Sequence, residues 1–212
     1  MDRDTAVREV LMTAESYLKN TDRLIYSYAG KTYLSGAPIL DRDFQDRGNI
    51  DCSTYVHLVL QGVPYEESPY VTGNAEDTFR SAAAWREAQF AEALRMDAPA
   101  RRAYGLAAWY YLMGRSFEER EKVQPGDLVF YAAPAEAAPY YIAHGAFRAI
   151  AHVGIVSEDT EYIYHSTGYP EKARSEKENL KAIQRTHILE GRTPNLYARP
   201  FYGEPGGAGV SR

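Results

Sequence analysis

The strongest constraint on the fold is a change of character at Gln124. Before it, apolar residues recur at helical spacing; after it come short runs of β-formers separated by turn residues. PGDLVFYAA (125–133) opens on a Pro-Gly turn and runs into a strand. HVGIVS (152–157), EYIYHST (161–167) and NLYARPFY (195–202) read as three more. Helices first and strands second predict an α+β domain, with helices packed on a central antiparallel sheet.

The helical half has four candidate segments. Over 4–19, Val7, Val10, Leu11, Ala14, Tyr17 and Leu18 form one stripe. Over 52–61, Tyr55, Val56, Val59 and Leu60 follow Cys52 at core-facing spacing, with Asp51 as N-cap and Gly62 as stop. DTFRSAAAWREAQFAEALRM (77–96) is a strong helix ended by Asp97-Ala98-Pro99, and RRAYGLAAWYYLMGR (101–115) a shorter, aromatic-rich one. The stretch from Gly30 to Asn49 reads as loop with one short strand, and 134–151 is a long segment before the second strand.

A chain of 212 residues, 45% of them hydrophobic, supports one core, predicted over 1–204 with a disordered tail at 205–212. The net charge of -5, with no basic block, argues against a nucleic-acid partner. No stretch approaches membrane-span length. The N-terminus alternates charged and apolar residues where a secretory signal needs a basic start and an unbroken apolar run. As written, the chain is expected to be cytoplasmic, or extracellular if a leader has been removed. The single cysteine, Cys52, excludes an internal disulfide and a CxxC metal site. Eighteen tyrosines suit either a wide polar groove or a half-buried sheet.

Cys52 has two readings. Free cysteine is among the most buried residue types, so it fits a helix start facing the core. A helix N-terminus also favours the thiolate, and a nearby imidazolium would favour it further. Of the five histidines, His57 lies five positions along the same helix, roughly 140° around, and should point away. His144 falls in the 134–151 segment, and His187 in a polar stretch with no partner in view. His152 begins one predicted strand and His165 ends the next, so adjacent antiparallel strands would bring them together as a base and its orienting partner. Each alone reads better as a strand-end histidine bonded to backbone; the pair at matching ends supports both readings equally.

These blocks in this order, Asp-Cys-Ser, Pro-Gly-Asp-Leu-Val-Phe, His-Val-Gly-Ile-Val and Tyr-Ile-Tyr-His-Ser, resemble the NlpC-type family of papain-like cysteine peptidases, bacterial cell-wall endopeptidases. The resemblance spans 26–168 in outline and is close over the four blocks. It implies a papain-like fold, with Cys52 as nucleophile, His152 as general base and His165 as the residue orienting it. It further implies Tyr26, in YSYAG, as an oxyanion donor beside the Cys52 backbone N–H, and Asp51, Ser53 and Ser68 on the substrate side. The chain departs from the family pattern at Thr54 and Ala29, where glycines are usual. A longer spacing leaves Tyr28 and Tyr33 as alternatives to Tyr26.

The implied reaction is hydrolysis of an amide in a peptidoglycan-derived peptide, at the bond between D-γ-glutamyl and a diamino acid. The resemblance implies no metal or organic cofactor. Two added segments, 75–118 and 134–151, flank the expected cleft and are predicted to restrict it to short soluble peptides, unless they pack behind the sheet. The alternatives are an acyltransferase or lipid-modifying enzyme on a related scaffold, with AAWYYLMG lining an acyl groove, and a non-catalytic binding module.

Overall fold

A computed structural model describes residues 2–26, 49–68, 103–112, 114–132, 150–168 and 182–200. Three helices are α1 (Arg3–Lys19), α2 (Cys52–Gln61) and α3 (Ala103–Leu112). The strands are β1 (Ile25–Tyr26), β2 (Asn49–Ile50), β3 (Ser116–Phe117), β4 (Leu128–Ala132), β5 (Ile150–Val156), β6 (Tyr162–Ser166), β7 (Ile183–His187) and β8 (Pro194–Ala198). Strands β1 and β2 form a short parallel pair. The other six make one open antiparallel sheet in the order β3–β8–β4–β5–β6–β7. The fold is therefore α+β, with the two N-terminal helices α1 and α2 packed on a six-stranded antiparallel sheet. Among the described residues no helix is long and apolar enough to cross a membrane.

Both N-terminal helices start at a capping aspartate, of which the sequence predicts Asp51. Asp2 accepts from the Thr5 backbone N–H at 2.8 Å, and Asp51 from that of Thr54 at 2.9 Å. Helix α2 ends at Gly62, whose φ of 74° is the left-handed conformation that glycine adopts without strain. The predicted stripe on α2 is too narrow, however: all ten of its residues are buried. Ser53, Thr54, His57 and Gln61 are buried along with the apolar positions, so the helix lies in the interior and its neighbours enclose it. Tyr17 of α1 meets Tyr55 edge-on at 5.6 Å and Tyr65 at 6.0 Å, while the Tyr55 hydroxyl donates to the Ala14 carbonyl. These tyrosines bury apolar rings, and Tyr55 also satisfies its polar tip, an ordinary use of the residue in a core.

Both faces of the sheet are covered. Leu128, Phe130, Val153, Ile155, Tyr164 and Leu196 join the helices in one continuous core. Val129, Tyr131, Val156, Ile163 and Tyr197 meet Val123 and Ile188 on the other face. The central strands therefore read as nearly unbroken apolar runs. Within the predicted insertion 75–118, α3 packs against β5 and β8 and contributes Leu106, Ala107 and Tyr110 to the helix-side core. This described part of the insertion packs on the sheet. Residues 75–102, 134–149 and the tail lie outside the described residues, as does the predicted helix 77–96.

Two strands of the six-stranded sheet escape the sequence reading. β3 is only two residues long, and β7 reads IQRTH, polar at four of five positions with no apolar alternation. The fourth predicted strand begins at Pro194 and is described to Ala198 as strand, one residue earlier than expected.

The Pro-Gly-Asp turn is clamped by Asp127, which is fully buried. Its carboxylate accepts from the Gln124 backbone N–H at 2.8 Å and from Arg199 Nε and Nη2 at 3.0 and 2.8 Å. This fork joins the start of β4 to the residue after β8. Asp127→Ala leaves the partly buried guanidinium without its carboxylate, and should lower unfolding free energy by about 3 kcal/mol in urea denaturation.

Candidate active site

The predicted site residues other than Ser68 sit at one end of the sheet. Strand β5 begins there and β6 ends there, because the two are antiparallel. Ser166, the last residue of β6, donates through Oγ to the Ile50 carbonyl at 2.9 Å. That bond ties the neighbour of His165 to a residue two before Cys52, and so moors the N-terminus of α2 to this end of the sheet. Tyr26 pairs with Ile50 across β1 and β2 and lies over Gly168. A Cβ at Gly168 would fall 2.5 Å from that of Tyr26, so only glycine admits this approach.

Cys52 is the first residue of α2 and is 4% exposed. Asp51 and Ser53 beside it are fully buried, and the Ser53 hydroxyl donates to the Asp51 carboxylate at 3.0 Å. That carboxylate therefore holds the helix start together through both the Thr54 N–H and Ser53. Ser68 is fully buried as well, and its hydroxyl acts on that of Tyr17 inside the core. It lies in a packed wall between α1 and the end of α2. Tyr28, Tyr33 and His144 lie outside the described residues.

His152 and His165 meet as their strand positions predict. His152 Nε2 lies 2.7 Å from His165 Nδ1, with the rings edge-on at 5.0 Å. Gly154 makes room for this contact: a Cβ there would stand 2.9 Å from Ile163 Cδ1 and 3.3 Å from His165 Cβ. The second nitrogen of His165, Nε2, lies 3.1 Å from Thr186 Oγ1 on β7. His152 packs beside Tyr131, whose hydroxyl donates to the Ile188 carbonyl.

Strand alternation sets which face these rings occupy. Val153 and Ile155 point into the helix-side core, so His152 and Gly154 point the other way, with Tyr131 and Ile163. The pairing of β4 with β5 shifts register between Tyr131 and Ala132, and Ile150 also joins the helix-side core. The structure thus joins the two histidines on one face and sets Cys52 in the core of the other, with both groups at the same strand ends.

Burial dominates the electrostatics of the pair. It pushes His152 well below its ordinary value of 6.5, and the charges of Arg192 and His165 add to the effect. Burial, then the Arg192 guanidinium, pushes His165 down to about 3. Both rings are neutral at pH 7. Arg192 follows β7 and donates through Nη2 to Thr167 Oγ1 at 3.0 Å. Among the described residues no group of three or more His, Cys, Asp or Glu side chains is placed to hold a metal.

His57 is fully buried on α2, so of its two expected settings, surface or packing, it takes the second. His187 is half-exposed, edge-on to Tyr162 and 3.5 Å from Glu161. Sequence reasoning missed Gly154, Thr186 and Arg192. An isolated glycine inside HVGIV is a signal of close approach that was available. Thr186 had no such signal, because its strand was not recognised.

Two measurements check this geometry. Gly154→Ala forces His165 and the Tyr164 backbone to shift, and should cost about 1–3 kcal/mol in urea denaturation. The depressed histidines also make stability depend on pH. Below 6.5 the unfolded chain binds protons that the folded chain refuses, so stability falls with falling pH, for His165 down to about 3. Each buried histidine should contribute a slope of about 1.4 kcal/mol per pH unit in that window. Denaturation between pH 6.5 and 4.5 should show a shallower slope for His165→Gln than for the parent chain.

Comparison of the chain with protein-family models, with curated proteins and with solved structures gives no match.

Proposed function

We propose that the chain is a papain-like cysteine peptidase or amidase that hydrolyses peptidoglycan-derived peptides at the D-γ-glutamyl–diamino acid bond. The observation that carries this reading is the meeting of His152 with His165 at the same sheet end to which Ser166 moors the N-terminus of the Cys52 helix. Four sequence blocks predicted those residues to converge.

In this reading His152 Nδ1 takes the thiol proton as the sulfur attacks the scissile carbonyl carbon. The carbonyl oxygen becomes an oxyanion, held by the Cys52 backbone N–H and the Tyr26 hydroxyl. Collapse breaks the C–N bond, and His152 returns its proton to the leaving amine. Water, deprotonated by His152, then hydrolyses the thioester and frees Cys52. His165 holds the ring of His152 throughout. The reading requires the sulfur and Nδ1, which lie on opposite faces of the sheet, to meet around its end.

A second reading is favoured by the placement of the rings. Two neutral, buried imidazoles bonded to each other and to Thr186, on the face opposite the helix-side core, also serve as a structural network in a non-catalytic binding module.

Mass spectrometry of a muropeptide digest separates the two. The parent chain should cleave free tri- and tetrapeptide stems, and Cys52→Ala should not. His152→Gln should lose roughly 10²–10⁴-fold in rate. His187→Gln, at an exposed position, should stay within about threefold by the same measure. Absence of cleavage by the parent chain, together with no labelling of Cys52 by a thiol-directed probe at neutral pH, establishes the binding-module reading instead.

A further inference from the structure

The contacts of His165 have a directional consequence. A neutral imidazole carries one N–H and one lone pair, so each ring can donate through only one nitrogen. Both nitrogens of His165 are engaged, Nδ1 with His152 Nε2 and Nε2 with Thr186 Oγ1. The row of three side chains therefore has two self-consistent proton arrangements.

In the first, His152 Nε2–H donates to His165 Nδ1, and His165 Nε2–H donates to Thr186 Oγ1. His152 Nδ1 is then a bare lone pair. In the second, the Thr186 hydroxyl donates to His165 Nε2, and His165 Nδ1–H donates to His152 Nε2. His152 Nδ1 then carries the proton and has nothing to accept with. The two arrangements differ in the tautomer of both rings and in whether the Thr186 hydroxyl accepts or donates.

We propose that Thr186 is a positioning residue: its Oγ1 accepts the His165 Nε2–H, and this holds His152 with Nδ1 free to act as a base. The tautomers favour the first arrangement, and the placement of Thr186 lets its oxygen serve it. It places both rings in the Nε2–H tautomer, the form that free histidine side chains intrinsically prefer, whereas the second requires the other tautomer of both. Thr186 is held by strand pairing, opposite Ile163 in the β6–β7 register, on the face that carries His165. Its branched side chain has restricted χ1 freedom, so the oxygen is kept at the ring edge.

The base role of Nδ1 rests on the peptidase reading; the tautomers do not. The test therefore reads both. Long-range ¹H–¹⁵N spectra of the imidazoles at pH 7 report the protonated nitrogen directly. They are recorded for the parent chain, T186V and T186S, alongside hydrolysis of a free tetrapeptide stem. Valine keeps the shape of threonine and suits a strand, so T186V should fold, which its thermal melt confirms.

The parent chain should show Nε2–H on both rings. T186V should move population to Nδ1–H on His165 and His152, and T186S should restore the parent spectrum. Turnover should fall by about 10–100-fold in T186V, the range for a partner that orients a histidine, with KM little changed and with recovery in T186S. Nδ1–H rings in the parent chain, or tautomers unmoved in T186V, overturn the proposal even if hydrolysis is efficient. Tautomers that respond as stated in a chain with no hydrolysis leave the proposal standing and remove the peptidase reading.

Discussion

A helix with no solvent-facing side governs this structure. Every residue of α2 is buried, so the orphan backbone groups at its ends must find partners inside the protein. Asp51 serves the N-terminus and Gly62 closes the C-terminus. Because the helix is enclosed, the position of Cys52 is set by packing against β5 and β6 and not by a loop. The bond from Ser166 to Ile50, and Tyr26 lying on Gly168, fix the approach to the helix start from the sheet side. The tyrosines of α1 and α2 lock the opposite flank.

The histidine pair follows a related rule with a different outcome. Polar rings enter a covered sheet face only when their nitrogens are bonded, and here a row of three side chains supplies those bonds. Loss of the water shell disfavours the charged form and keeps both rings neutral. Gly154 is the steric condition for it, since any side chain there would hold β6 and the His165 ring away.

Much of this was legible in local sequence. Asp51 before an apolar run and Gly62 after it are short-range signals, and both ends of α2 fall where they predict. The nearness of His152 and His165 followed from two strands joined by a short turn, because such strands pair antiparallel and bring the start of one beside the end of the next. β7 was not legible. Its residues are polar on an edge strand, where one side of the backbone has no sheet neighbour and the apolar pattern is weak. Thr186 was lost with it, and so was the second bond of His165.

What the sequence by itself determined was the division into helices first and strands second, the caps of α2, and which residue types could do chemistry. These depend on periodicity and on contacts within a few positions, which a linear reading contains. The tertiary structure decided the sheet order, which inserts β8 between β3 and β4, and the face that each ring occupies. It also decided that Ser166 would moor Ile50, 116 positions away, and that Thr186 would complete the contacts of His165. Those outcomes depend on how separate segments share one core and on a register shift in β5, and neither is written in the spacing of any single segment.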